Sequence, residues 1–128
     1  EEYCLVDREP GSFNPEPFQE YLNEQFRSMK RLPDVFLCAN DAIALIVLQC
    51  LKSLGYSVPE DVCLCGFDDS PESKIVTPSL TTIHIHSQDM GLCAVQLLLS
   101  RINEPSLAYR TMHVETNLVY RESTGKIV

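Results

Sequence analysis

Short apolar runs alternate with helix-length amphipathic stretches along this chain, and that alternation limits the fold more than any other feature. Val35-Phe36-Leu37-Cys38-Ala39 and Val62-Cys63-Leu64-Cys65-Gly66-Phe67 have strand length, as do Leu80 to Ile85 and the shorter Tyr3-Cys4-Leu5-Val6. The stretches between them are long enough for crossover helices. A βαβαβ order of this kind specifies an α/β fold with a parallel sheet wrapped by helices.

The helices carry their own punctuation. Asn14 reads as an N-cap with Pro15 at the first helical position. Phe18, Leu22 and Phe26, with Tyr21 and Met29, mark one apolar face, and Pro33 marks the exit. A second helix is expected from about Ala42 to Leu54, capped by Asp41 and ended by Gly55. It is apolar nearly all round, so it should be buried on more than one side, one against the sheet and the other against a partner chain. Ser87 is expected to cap a third helix reaching about Ile102. From Tyr109 to Tyr120 the pattern alternates as in a half-buried strand, and the end, Arg121 to Val128, is polar.

Composition narrows the partners. The 128 residues carry a formal net charge of −8, which disfavours a phosphate-gripping surface or an anionic membrane. The longest apolar run, Ala42 to Leu48, is far short of the roughly 20 residues that span a bilayer. The start Glu1-Glu2-Tyr3 shows no signal-peptide pattern, and the chain reads as a fragment of something longer. The cysteines at 4, 38, 50, 63, 65 and 93 form no C-x-x-C spacing. Five of them sit in apolar patterns and are expected to be reduced core residues of a cytoplasmic protein. Cys63 and Cys65 share a strand face, as do His84 and His86, but neither pair has a metal-ligand spacing, so no metal and no cofactor is expected.

The chemistry concentrates at strand ends. Gly66-Phe67-Asp68-Asp69 delivers two carboxylates where an open α/β sheet places its ligand crevice. Asp68 suits hydroxyl recognition by bidentate hydrogen bonds, while Asp69 suits a turn or capping role. Asn40, after another strand, can donate and accept, or serve as a turn residue before the helix. A carboxylate pair at a strand end also fits a Mg²⁺-dependent enzyme or phosphoacceptor. Against an enzyme, there is no G-x-S-x-G elbow, no Walker motif, no G-x-G-x-x-G and no evident partner lysine.

Several segments together resemble the LacI/GalR family of bacterial transcriptional regulators. They are Pro33 through Asp41, Val58-Pro59-Glu60-Asp61-Val62 followed by Gly66-Phe67-Asp68-Asp69, Thr77 through Ile83, Met90-Gly91, and Arg121-Glu122-Ser123-Thr124-Gly125. Their order and spacing match the family over essentially the whole chain. The resemblance implies a type I periplasmic-binding-protein-like fold, of which this chain is a three-layer, parallel-sheet sub-domain with the second sub-domain largely missing. Residues of about 1–84 and 110–128 would form the C-terminal sub-domain. The helix at about 85–105 would belong to the other one, and without that host it must be exposed, refolded or swapped with another copy.

The resemblance also implies roles. Asp68 matches the family's sugar-contacting aspartate, Asn40 a cleft residue, and Phe13 an aromatic that stacks on the ligand ring, although Phe13 equally suits packing on the adjacent helix. Ser87 lies where the family often has a contact; Ile85 departs from a polar contact. The family's cleft arginine would lie upstream of residue 1. Leu45 and Val76 fall where the family dimerises, with plain core as the other reading of Leu45. The implied partners are a sugar-like or nucleoside-like effector and a second copy, with DNA reached only through a headpiece absent here. No catalytic residue is expected. A secreted sugar-binding protein of the same fold is the remaining alternative.

Overall fold

The computed structural model describes residues 15–125. The expected strand at Tyr3–Val6, the cap at Asn14, Cys4 and Phe13 lie outside the described residues. The elements in chain order are α1 (Pro15–Ser28), β1 (Val35–Leu37), α2 (Asp41–Ser53), β2 (Cys63–Cys65), α3 (Pro71–Ile75), β3 (Thr82–Ile85), α4 (Ser87–Asn103) and β4 (Thr116–Val119), then a 3-10 turn at Glu122–Thr124.

β1 and β2 pair in parallel, with Val35 opposite Cys63 and Leu37 opposite Cys65. Parallel bridges at Cys65–Thr81 and Asp68–His84 carry the pairing from β2 to the β3 segment. β4 closes on β3 antiparallel, Thr82 opposite Val119. The carboxyl ends of β1, β2 and β3 therefore lie along one edge. This is the mixed α/β architecture with a parallel sheet that the alternation of runs predicts.

The core forms where α1 and α2 cover the sheet face that carries Phe36 and Leu64. Leu22 and Phe26 from α1 meet Ala44, Val47, Leu48 and Leu51 from α2, with Val62, Leu64 and Leu80 beneath. The Phe26 and Phe36 rings stand 5.2 Å apart. Burying each of these large side chains contributes roughly 1.5–3 kcal/mol. On the opposite face of the pair, Val35 is 43% and Leu37 80% exposed, so among the described residues the helices close one side of these strands.

The structure corrects several local expectations. The N-cap of α2 is Asn40, whose Oδ1 accepts from the Ile43 N–H at 2.8 Å; Asp41 is the first helical residue and is buried. Ser87 does not cap α4: the N-cap is His86, which makes no side-chain cap bond. A short helix not expected from the sequence, α3, starts at Pro71 with Ser70 as its cap. The final strand pairs over Thr116–Val119 alone rather than from Tyr109, because β3 offers a four-residue ladder. Gly55 does end α2, at φ 86°.

α4 has 17 residues, none of them buried. Leu92 and Ile102 are each 62% exposed and Leu98 is 60% exposed. Of the three fates open to this helix, the described structure has the exposed one.

Gly66 is fixed by space. A Cβ there would stand 2.1 Å from Asp41 Oδ1 and 2.9 Å from Leu80 Cδ2, whereas one at Gly91 would meet nothing within 4 Å. Gly66→Ala should lower stability by at least about 2 kcal/mol through overpacking. Gly91→Ala, on an exposed helix face, should be neutral or raise it by up to about 1 kcal/mol. Urea unfolding midpoints of the two variants check the contrast.

Candidate functional site

The strand edge gathers three of the sequence-nominated residues. Asn40 follows β1, Asp68 follows β2 and Ser87 follows β3. Two backbone bonds beyond the strands hold the first two ends together: Cys38 N–H donates to Cys65 O at 2.9 Å, and Asp41 N–H to Phe67 O at 2.8 Å. Asp68 and Ser87 are exposed and Asn40 is half-buried. Asn40 spends its carbonyl oxygen on the helix cap, which leaves its amide NH₂ as a donor. The Asp68 carboxylate has no partner among the described residues and is free to accept. Asp68 and Asp69 both have positive φ, at 114° and 55°. Each costs on the order of 1–3 kcal/mol for a residue with a Cβ, and such strain gathers at functional turns.

The adjacent carboxylates do not work as a pair. The Asp69 side chain is 8% exposed and turns inward to Arg121, which donates to its Oδ1. His84 Nδ1 donates to the other oxygen at 2.9 Å, and Lys74 Nζ lies 3.4 Å from it. Burial pushes the Asp69 carboxyl up, but the Arg121 and His84 hydrogen bonds, the Arg121 charge and Lys74 outweigh it and hold the group below its ordinary value. The His84 and His86 rings meet edge to face at 4.9 Å, and His86 Nε2 bonds Asn117 Oδ1 at 2.6 Å. Among the described residues no three His, Cys, Asp or Glu side chains are grouped to hold a metal ion.

Two residues at this edge were missed by sequence reasoning. Asp41 accepts from Thr82 Oγ1 at 2.6 Å and from the Ser70 N–H at 2.7 Å, so instead of capping it joins the segments after β1 and β2 to the start of β3. Arg121 reaches Asp69, and its other nitrogen donates to Ser73 Oγ and Leu80 O, each at 2.9 Å. Neither partnership leaves a local signal, because the partners are distant in the chain.

Beside Asp68, Phe67 lines an open apolar cavity of about 470 Å³ with Ile85, Met90, Leu97, Met112 and Thr116. Of the residues nominated for dimerisation, Leu45 is half-buried on α2. Val76 packs against the core cluster, while its neighbour Ile75 is 82% exposed.

The family profile of the periplasmic binding protein-like domain matches residues 4–124, and the chain belongs to that family. An HTH-type transcriptional repressor PurR of Pasteurella multocida is 36% identical over 113 residues, covering 88% of this chain and 34% of that protein. A LacI-family transcriptional regulator from Sanguibacter keddieii superposes with a TM-score of 0.80 at 33% identity, covering 90% of this chain and 44% of the other. A LacI-family regulator from Arthrobacter, solved in complex with lactose, superposes at 0.74 with 29% identity, covering 88% and 42%. The chain is thus a portion of the effector-binding domain of a LacI/GalR-type transcriptional regulator. It spans about a third of the length of the relatives it matches. No helix among the described residues is long and apolar enough to cross a membrane.

Two measurements follow from the electrostatics. With its folded value depressed, Asp69 contributes stability that is fully present above the ordinary aspartate value near 4 and is lost as pH falls through the lower folded value. Asp69→Asn should therefore lose stability near neutrality and show a shallower further loss on acidification, read from urea midpoints between about pH 6 and pH 3. Cys38 is pushed up to about 12, first by burial and then by Cys65 and Asp41. It should resist iodoacetamide at about pH 8 in the folded chain and react only in urea, as mass spectrometry of its peptide would read.

Proposed function

We propose that this chain is the ligand-sensing and dimerising part of a bacterial regulator, taking a small sugar-like or nucleoside-like effector that controls DNA binding by a headpiece outside this sequence. One observation carries the reading: Asn40, Asp68 and Ser87 follow three neighbouring parallel strands at their carboxyl edge, with the Asp68 carboxylate exposed and unpaired among the described residues. Such an edge is where open α/β sheets take ligands. An exposed acceptor at Asp68 and the amide donor of Asn40, at the ends of paired strands, suit hydroxyl-rich ligands. The lactose complex of the Arthrobacter relative agrees with that chemistry. In this reading Phe13 supplies the stacking surface.

The protein is cytoplasmic and not an enzyme in this reading, because its chemistry is reversible binding. Residues of about 1–84 and 110–128 form one wall of the cleft, and the helix near 85–105 packs in the opposite sub-domain. The unburied apolar side chains of α4 support that assignment. A homodimer forms through α2 at Leu45 and the α3 segment at Val76, where exposed Ile75 widens the apolar surface. Effector binding between the walls shifts the spacing of the headpieces by differential affinity for two states.

Calorimetry of the intact regulator against lactose, D-ribose and adenosine tests the site. Asp68→Ala should weaken the ligand that binds by roughly ten- to a hundredfold, as expected for a lost charge-assisted hydrogen bond. Wild-type affinity in that variant would exclude Asp68 from the contact. The 128-residue chain alone should bind the same ligand weakly or not at all.

A further inference from the structure

We infer that Asp69 and Arg121 are a positioning pair that holds the Asp68 carboxylate out at the strand edge, so that the C-terminal segment governs ligand affinity. The inference rests on Asp68 being a ligand contact.

The backbone states the problem. Asp68 and Asp69 both occupy positive φ, which a glycine would adopt without strain. Keeping a Cβ at both positions makes sense only if both carboxylates have work to do. The main chain of the turn is lightly held: Asp68 N–H donates to Ile83 O at 3.0 Å, and Asp69 N–H reaches Thr82 Oγ1 at 3.3 Å.

The side chain of Asp69 supplies the missing restraint. Its inward carboxylate meets three cationic or ionisable partners, Arg121, His84 and Lys74, which are 14%, 42% and 54% exposed. Arg121 is the most buried of these, and buried charge-assisted bonds are screened least. It is also the most firmly seated. Its backbone N–H donates to Thr81 Oγ1 at 2.8 Å and its guanidinium to Ser73 and Leu80. Two residues on, Ser123 Oγ donates to Leu64 O inside β2 at 2.6 Å. Residues 121–123 thus clasp β2, the β3 segment and α3 at once, and present a fixed cation to Asp69. With Asp69 drawn inward, the strained link turns Asp68 to solvent. Asp69 and Arg121 touch no ligand in this arrangement; they act through Asp68.

The test separates conformation from binding. In the isotope-labelled chain, HN–Hα couplings report φ at Asp68 and Asp69, and amide exchange reports the Asp68–Ile83 bond. Protection at Leu51 and Leu64 reports the core. In Arg121→Met and in the near-isosteric Asp69→Asn, the core should stay protected while Asp68 exchanges at least tenfold faster and its φ averages away from the left-handed value. Glu122→Gln, in the same segment but with a carboxylate that bonds only Ser79 among the described residues, should leave Asp68 unchanged. In the intact regulator Asp69→Asn should weaken lactose, or whichever probe sugar binds, by about tenfold. Unchanged φ and exchange at Asp68 in both variants overturn the inference. So does loss of core protection in both, which makes the pair a determinant of the fold alone. If Asp68→Ala binds like wild type, the ligand reading fails by itself, and the conformational arm still reports on the pair.

Discussion

A single buried carboxylate holds the strand edge together. Asp41 is 1% exposed, accepts from the Thr82 hydroxyl and the Ser70 amide, and donates its own N–H to Phe67 O. A charge in such a place is tolerated only when its lone pairs are filled. Here each carboxylate oxygen accepts one hydrogen bond, and its place in the first turn of α2 adds the favourable end of the helix dipole. The room for it comes from Gly66, whose missing side chain lets the carboxylate sit against β2. Removing the space or the carboxylate would take away the side-chain bonds that add to the backbone pairing of β1, β2 and β3.

That linkage explains why neighbouring aspartates behave so differently. Asp68 and Asp69 are adjacent and chemically identical, yet one carboxylate is exposed with no partner among the described residues and the other is inside a cationic cluster. The difference is one of direction set by two left-handed residues, not of residue type. A pair of carboxylates available to one metal ion or phosphoryl group would need both oxygens facing out. This turn faces one out and commits the other to Arg121, His84 and Lys74.

Stability is unevenly spread. The Leu22–Phe26 face of α1, the buried face of α2 and Leu64 of β2 form one apolar cluster, with Phe36 of β1 packed against it. α4 contributes no buried residue, and among the described residues β4 pairs only with β3 in its sheet. Hydrogen exchange in such a molecule is slowest around α2 and β2 and fastest in α4. Packing normally supplies most helical stability, and what α4 has beyond its own backbone bonds is slight: Arg101 donates to Leu107 O and lies over the Tyr109 ring.

The sequence by itself determined the alternation of strands and helices, the buried faces of α1 and α2, the stop at Gly55 and the placement of Asp68 at a strand end. Each is written within a few residues, as a period, a cap or a turn. It overextended the last strand, since alternation says nothing of whether a partner is long enough. It also passed over α3, although Ser70-Pro71 carries a start signal. Tertiary structure alone decided that Asn40 caps while Asp41 is buried, and that Asp69 turns inward while Asp68 does not. Asp41 meets Thr82 across 41 positions and Asp69 meets Arg121 across 52. The environment of a charge depends on what the fold brings beside it, and residues so far apart leave no local pattern to read.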